Sequence, residues 1–226
     1  MKKQQLGNRM KTNYEEAYKH YLPMRLPTII RVDGKTFHSF TKGMEKPYDG
    51  AFIEHMANLA QWLVQEIQTA RCAYVQSDEI SLLLIPYNKF DTEAWFCNEI
   101  QKMVSVSAGM ASAYFSGLYR KLAVFDSRVF VLPEAEVVNY FIWRQQDATR
   151  NSIQMLAQSM YSHKELHKKN TDDLQEMIFQ KGKNWNNLPA YLKRGIIATP
   201  DLIDKDIPIF TQDRSYFDRF LTIEEE

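Results

Sequence analysis

The alternation of apolar and polar positions in the first half of the chain predicts strands separated by amphipathic helices. Residues 28–32 form a β-branched run, which predicts a strand that ends at Asp33 and Gly34. Between Ala51 and Ala70, apolar side chains recur every three or four positions, as one face of a helix requires. The core of the protein is therefore expected to begin with a strand followed by a helix.

Two short apolar runs come next and surround a polar turn. Residues 73–75 and 80–85 predict two strands, which the polar residues 76–79 connect over a short distance. This arrangement is typical of a β-hairpin. Asp78 and Glu79 are expected to lie at its tip.

The pattern changes character after one more helix and one more strand. Residues 92–121 predict a long helix, and residues 124–132 predict a fourth strand. Beyond Pro133 helical signals dominate, and residues 193–197 predict a late return to an extended segment. The chain is therefore expected to have an α+β fold with a C-terminal helical extension.

Composition excludes several classes of protein. The 226 residues are 45% hydrophobic and 25% charged, which is typical of a globular protein. The 28 basic residues balance the 28 acidic ones, so a protein that coats nucleic acid non-specifically is not expected. Apolar runs stay shorter than a membrane span needs, and Cys72 and Cys97 are predicted to be reduced core thiols. A cytoplasmic protein is expected.

Three carboxylates stand out because of where the pattern places them. Asp33 ends a strand, and Asp78 and Glu79 occupy a hairpin, so the strand–helix–hairpin order can bring them to one sheet edge. Two carboxylates with a backbone carbonyl such as that of Gly34 suit Mg²⁺. Taken alone, Asp33-Gly34 is more often a simple turn, and residues 77–79 could equally form a solvated loop.

Basic and aromatic residues surround the Asp-Gly pair. An aromatic face can stack a base and a lysine can hold triphosphate, although each residue taken singly is better explained as core or as solvated surface. Patterns for a glycine-rich phosphate loop or for a Ser or Cys nucleophile are not found in the sequence. Metal-assisted phosphoryl transfer is thus the leading chemistry, with these candidate neighbours: Lys35, Phe37, His38, Lys42 and Lys46.

Six short segments, in order along about 165 residues, together resemble the tRNA-His guanylyltransferase superfamily, and the combination is much more specific than any one of them. They are Arg31–Phe40, Lys46-Pro47, Gln76–Glu79, Phe125–Arg128, Trp143–Asp147 and Lys193–Gly195.

This resemblance implies a fold and a reaction. The fold would be a palm-like antiparallel sheet flanked by helices, with residues 1–135 as the catalytic domain. Residues 136–226 would form a helical RNA-binding extension whose late strand returns to the core. The reaction would be template-dependent, 3′-to-5′ addition of nucleotides to the 5′ end of tRNA, a repair of truncated ends, from NTPs such as GTP and with ATP for activation. Two Mg²⁺ ions would be needed, and a homotetramer is expected.

The resemblance also assigns expected roles to residues. Metal ligands would be Asp33, Gly34 and Asp78, and Glu79 would support the catalytic site. The nucleotide and triphosphate pocket would include Lys35, Phe37, His38, Lys46 and Ser77. RNA contacts would come from Arg128, Arg150, Asn151, Lys193 and Arg194, although the alternative for Arg150 and Asn151 is an exposed helix surface.

One departure from the family pattern bears on the substrate. Eukaryotic members carry His-Ile-Asn-Asn after the Trp-Arg-Gln segment, whereas this chain has Thr149-Arg150-Asn151-Ser152. Selectivity for tRNA-His is therefore in doubt, and the chain looks more similar to the guanylyltransferase-like proteins of bacteria, archaea and phages. Three alternatives stay open: a cyclase or forward transferase on the same palm, a catalytically silent tRNA-binding module, and an enzyme that adds a single G to tRNA-His.

Overall fold

One six-stranded antiparallel sheet organises the protein, whose computed structural model describes residues 5–223. The strands lie in the order β4-β1-β3-β2-β5-β6, and every pair between neighbours is antiparallel. Sequence-distant strands are therefore neighbours in the middle of the sheet. The strands are β1 (Thr28–Gly34), β2 (Ala70–Gln76), β3 (Glu79–Leu84), β4 (Phe125–Val131), β5 (Ile196–Ala198) and β6 (Ile203–Asp204).

Helices cover both faces of this sheet. Helices α3 and α4 pack on one face and α5 packs on the other. The α-helices are α1 (Leu6–Met10), α2 (Phe37–Phe40), α3 (Gly50–Glu66), α4 (Ile100–Tyr119), α5 (Glu134–Gln158), α6 (His163–Leu166), α7 (Thr171–Gln180), α8 (Ala190–Arg194) and α9 (Asp218–Leu221). A π-helical segment at Lys11–Glu15 and short 3₁₀ turns at Glu16–Tyr18, Trp95–Asn98, Trp185–Asn187 and Arg214–Phe217 complete the helical structure. The predicted α+β class with one antiparallel sheet flanked by helices is confirmed.

The predicted hairpin is also confirmed. Strands β2 and β3 pair from Cys72 to Gln76, and Ser77 and Asp78 form the turn between them. Ser77 has a positive φ of 50°, which reverses the chain within two residues. The tip of the hairpin thus lies beside the end of β1.

The long helix begins later than the sequence predicts. It starts at Ile100 rather than residue 92, because Phe96 and Cys97 both have a positive φ of 51° and interrupt the helical path. Cys72 is buried as expected, but Cys97 is exposed on this interruption, so the prediction of a core thiol there is wrong.

The predicted late extended segment is part helix and part strand. Lys193 and Arg194 end α8, and only after Gly195 does the chain enter β5, which pairs with β2. A Cβ on Gly195 would lie 2.6 Å from the Tyr74 hydroxyl and from the Val75 carbonyl oxygen, so a side chain cannot be accommodated. This glycine lets α8 turn directly into the sheet.

The C-terminal half of α5 extends past the sheet and carries a separate small core. Ile153, Leu156 and Ala157 of α5 pack against Leu174 and Ile178 of α7. Helix α7 begins with a capping box in which the Asn170 side chain accepts from the Asp173 amide at 2.9 Å. Within residues 5–223, helices are too short or too polar to cross a membrane.

Candidate active site

The end of β1 and the tip of the β2–β3 hairpin bring two carboxylates together. Asp33 lies opposite Glu79 of β3 and opposite Asp126 of β4 in the strand register. The amide of Gly34 donates to the Asp78 carbonyl oxygen at 3.1 Å, which holds the hairpin tip against the end of β1. The strand–helix–hairpin order therefore places Asp33 and Asp78 side by side.

Gly34 is required by this close approach. A Cβ at this position would lie 2.4 Å from the Phe37 ring and 2.8 Å from Oδ2 of Asp78. A side chain would displace either the aromatic ring or the carboxylate. Glycine thus lets the Phe37 ring and the Asp78 carboxylate pack directly against the end of β1.

The two aspartates lie in an environment that favours a cation. Burial and then the charge of Asp126 raise the pKa of Asp33, although Arg31, Arg128 and Arg144 oppose this shift. Burial also raises the pKa of Asp78, and the charge of Asp33 adds to that effect. Hard carboxylate oxygens that repel one another in a partly desolvated site are suitable ligands for Mg²⁺.

The protein supplies only part of the ligand set of a metal ion at this position. Residues 5–223 hold no group of three or more His, Cys, Asp or Glu side chains positioned for a metal. Mg²⁺ is commonly bound by one or two carboxylates together with phosphates and water. Asp33, Asp78 and the backbone at Gly34 fit this kind of site.

Glu79 lies next to these residues but has a different environment. Its Oε2 accepts a hydrogen bond from Nη1 of Arg144 at 3.0 Å, and Nε of Arg31 lies 4.0 Å from the same oxygen. Burial raises the pKa of the Glu79 carboxyl, and the charges of Arg144 and Arg31 oppose this shift. Glu79 therefore joins β3 to α5 through a buried ion pair.

The ion pair continues along α5 toward the surface. Nη2 of Arg144 donates to Asp147 at 2.8 Å, and Asp147 accepts from the exposed Arg150 at 2.6 Å. Sequence reasoning missed Arg144, although a signal was present. Arg144 falls in phase with the buried Tyr140, Phe141 and Ala148 of the same helix, and a charge on the buried face of a helix requires a partner.

A cavity of about 640 Å³ opens beside Asp78 and the end of β1. Gly34, Ser77 and Asp78 form one wall, and the segment after β1 forms another. Three basic side chains predicted as candidates line it: His38, Lys42 and Lys46. The sequence did not identify other lining residues, which come from the segment between β1 and α3, from α3 itself and from the end of α5: Thr36, Thr41, Gly43, Met44, Glu45, Pro47, Asp49, Phe52, Met155, Gln158 and Ser159.

Two further candidates near the cavity have other surroundings. Phe37 is only 4% exposed and packs against the rings of Phe40, Phe52 and Phe125. It belongs to the apolar core and also lines the cavity, so its role in the nucleotide pocket stays a prediction. Lys35 is exposed outside the cavity wall, with its amide bonded to Val124.

The structure separates the five candidates for RNA contact. Arg128 and Arg150 are exposed, each beside one aspartate. Asn151 lines a narrow cleft of about 90 Å³ that shares Ser77 with the large cavity. The remaining two candidates make contacts within the chain: Lys193 donates to the Asn186 carbonyl at 2.6 Å, and Arg194 donates to the Ile207 carbonyl at 2.7 Å.

Comparisons with known proteins identify the family. The family described as tRNAHis guanylyltransferase matches residues 7–133, more than half of the chain. A probable tRNA(His) guanylyltransferase of Drosophila melanogaster is 30% identical over 190 residues, which cover 75% of this chain and 65% of that protein. An uncharacterized protein of Acanthamoeba polyphaga mimivirus is 27% identical over 238 residues, which cover 89% of this chain and 79% of that protein.

Two solved structures resemble the whole chain. A bacterial tRNA(His) guanylyltransferase-like protein in complex with ATP superposes with a TM-score of 0.91 at 46% identity, covering 95% of this chain and 98% of that one. A bacterial protein of the same description in complex with GTP gives a TM-score of 0.86 at 43% identity, covering 96% and 99%. On the family match and on these similarities, the chain belongs to the tRNAHis guanylyltransferase family and is a nucleotidyltransferase.

Proposed function

We propose that this protein adds nucleotides in the 3′-to-5′ direction to the 5′ end of tRNA, following the opposing template base. The observation that carries the proposal is the meeting of the end of β1, at Asp33 and Gly34, with Asp78 of the hairpin tip, where Gly34 and Asp78 line a cavity together with His38 and Lys46. Carboxylates for a cation and basic side chains for phosphates are the two requirements of phosphoryl transfer. The ATP and GTP bound by the similar bacterial proteins support NTPs as substrates.

Two Mg²⁺ ions are part of the proposal, held by Asp33, Asp78 and the carbonyl of Gly34. When bound, such ions lower the pKa of an attacking hydroxyl and neutralise a leaving pyrophosphate. The buried pair of Glu79 and Arg144 fixes the start of β3 and therefore the orientation of the hairpin tip. Glu79 is accordingly proposed to support the site rather than to enter it.

Other residues of the chain are proposed to bind the triphosphate and the RNA. Lys42, Lys46 and His38 are proposed to bind triphosphate from one side of the cavity, and the exposed Ser77 hydroxyl from the other. Gly34 lets the Asp78 carboxylate lie directly against the end of β1, at the wall of the cavity that would hold the triphosphate. Arg128 and Arg150 are proposed to contact the RNA, because their guanidinium groups are exposed.

A second candidate function is addition of a single G to tRNA-His. The Drosophila relative named a probable tRNA(His) guanylyltransferase supports it. Residues 149–152 weigh against it, since Thr149 and Arg150 replace the first two positions of the family's His-Ile-Asn-Asn segment. The two functions differ in whether the template base decides which nucleotide is added.

The decisive experiment uses Mg²⁺, a 5′-triphosphorylated tRNA that lacks its first nucleotide, and each NTP in turn. We expect growth at the 5′ end only with the complementary NTP, and loss of growth in Asp78→Asn. Arg25→Gln is a matched control, because Arg25 is a charged residue at the opposite end of the sheet, bonded to Phe90. Growth only with GTP on every template would favour the single-G enzyme, and binding of tRNA without growth would favour the silent module.

A homotetramer is also part of the proposal. The N-terminal helical segment exposes apolar side chains every four residues, a spacing that forms one stripe along a helix. These residues are Leu6, Met10, Tyr14 and Tyr18, each between 48% and 68% exposed. Light scattering of the wild-type protein should give the tetramer mass, and Met10→Lys with Tyr14→Lys should lower it.

A further inference from the structure

Trp143 is a large aromatic residue on the sheet-covering part of α5 that the proposed function does not use. It is 48% exposed, although the neighbouring positions Tyr140, Arg144 and Phe141 are buried. Half-exposed tryptophans are uncommon on a helix that otherwise buries its apolar face. The position therefore requires an explanation beyond packing.

The indole ring lies against a buried cation. The guanidinium carbon of Arg144 lies 3.8 Å from the centre of the Trp143 ring, a cation–π contact. The ring of Tyr140 approaches it at 5.9 Å with an angle of 64° between the planes. One face of the indole is thus covered by Arg144, and the exposed half of the residue is available to a ligand.

A short chain of contacts links Trp143 to the catalytic carboxylates. Arg144, which holds the indole, also bonds Glu79 at 3.0 Å, and Glu79 lies opposite Asp33 in the strand register. Arg31, which approaches Glu79, lies opposite Arg128 in the register of β4. Trp143 therefore belongs to the same end and the same face of the sheet as Asp33 and Arg128.

Exposed cations lie on the same elements as this site. The side chains of Arg128 on β4 and Arg150 on α5 are 57% and 54% exposed, and each is paired with an aspartate. A flat aromatic surface with exposed guanidinium groups at the same end of the sheet suits a single-stranded or terminal nucleobase with its phosphates. A protein partner would be expected to bury a larger continuous apolar surface.

We infer that Trp143 stacks on the nucleobase at the 5′ end of the RNA and that Arg128 and Arg150 contact the adjoining phosphates. This inference rests on the proposed function, because it concerns the RNA that the active site would extend. The stack orients the RNA end toward Asp33 and Asp78, while the cation–π contact with Arg144 on the other face holds the indole in position. The competing explanation is that Trp143 only covers the pair of Arg144 and Glu79.

The test measures RNA binding without NTPs, so that turnover does not contribute. Two acceptor-stem hairpins are compared, one with an intact 5′ nucleotide and one whose 5′ nucleotide is abasic. Trp143→Leu should bind the intact RNA about tenfold more weakly than the wild type, whereas Trp143→Phe, which keeps a ring, should stay close to it. The abasic RNA should bind equally to the wild type and to Trp143→Leu.

Two controls separate stacking from a structural role. Phe90→Leu removes an exposed aromatic residue in the loop after β3, at the other end of the sheet, and should leave both affinities unchanged. Tryptophan emission of the wild type should be quenched by the intact RNA, and the quenching should disappear in Trp143→Phe. Equal losses of affinity for both RNAs in Trp143→Leu, or no loss for either, would overturn the inference.

The inference and the proposed function fail in different ways. Base-dependent binding through Trp143 without any nucleotide addition would refute the proposed activity and leave the stack in place. Normal 5′-end growth by Trp143→Leu, with unchanged affinity, would refute the stack and leave the activity in place. Absence of RNA binding by the wild type would overturn both.

Discussion

The two faces of the sheet are built in different ways. The face under α3 and α4 is mainly apolar, with buried residues such as Ile30, Val32 and Leu82 from the strands. The face under α5 is apolar only at one end, around Ile29 and Leu83. At its other end it buries the charged residues Glu79 and Arg144, with the partly buried Arg31 beside them.

This difference shows how one sheet separates stability from chemistry. Burial of apolar side chains stabilises the fold without specifying where any polar atom lies. A buried ion pair stabilises the fold little more than apolar side chains of similar volume would. Removal of one partner is costly, however, because it leaves the other charge buried and unpaired, so such a pair fixes the geometry of the groups that form it. The charged end lies directly under Asp33, where a defined geometry matters for the reaction.

The largest effect is expected at the buried charge of α5. Arg144→Met leaves Glu79 buried without its main partner, and the free energy of unfolding should fall by about 3–5 kcal/mol. Nucleotide addition per folded molecule should fall too, because the hairpin tip loses its support. Urea unfolding and the 5′-extension assay measure the two losses, and the double variant with Glu79→Gln should recover part of the stability. A loss of activity with unchanged stability would contradict this account.

A comparable loss of stability, but not of activity, is expected on the apolar face. Leu63 of α3 is fully buried near the sheet end that is distant from Asp33. Leu63→Ala should lower the free energy of unfolding by about 2–5 kcal/mol through the lost burial and the cavity. Extension activity, corrected for the folded fraction, should be retained. A specific loss of activity would show that the two faces are not functionally separate.

A smaller loss of stability is expected at a buried polar contact between α4 and β4. The hydroxyl oxygens of Ser107 on α4 and Ser127 on β4 lie 2.7 Å apart in a buried position. Ser127→Ala should cost about 1 kcal/mol, since Ser107 keeps its bond to the Met103 carbonyl. Thermal unfolding measures this cost, and Ser105→Ala, on an exposed position of the same helix, is the control.

The smallest effect on stability is expected where the charged network reaches solvent. Arg150→Gln removes an exposed pair with Asp147, so the free energy of unfolding should change by less than about 1 kcal/mol. Affinity for tRNA at low salt should nevertheless fall, and its dependence on salt should become weaker. Unchanged affinity at every salt concentration would remove Arg150 from the RNA surface.

Sequence patterns predicted those elements whose signals are local. The β2–β3 hairpin and helix α3 each follow from residues within one segment. Positions that depend on distant contacts were predicted less well. Phe37 is a base-stacking candidate by type, yet four neighbouring aromatic rings hold it in the core.

Similar reasons explain the other differences. Lys193 and Arg194 form a basic pair in the sequence. In the structure, Lys193 donates to the backbone carbonyl of Asn186 and Arg194 donates to that of Ile207. The start of α4 moved to Ile100 because three consecutive residues, 96–98, adopt positive φ angles. Neither feature leaves a periodic signal, because each arises from contacts with residues outside the segment.

The sequence by itself determined the order of the elements and the positions of Asp33, Gly34 and Asp78 at their ends, because these depend on local propensity and spacing. Only the tertiary structure decided which basic residues face the cavity, that Glu79 is held by Arg144, and that Trp143 remains half exposed above that pair. Those relations join residues of β1, β3 and α5 that are separated by tens of positions in the chain. Packing of α5 across the sheet creates them, and no short segment contains the contacts on which they depend.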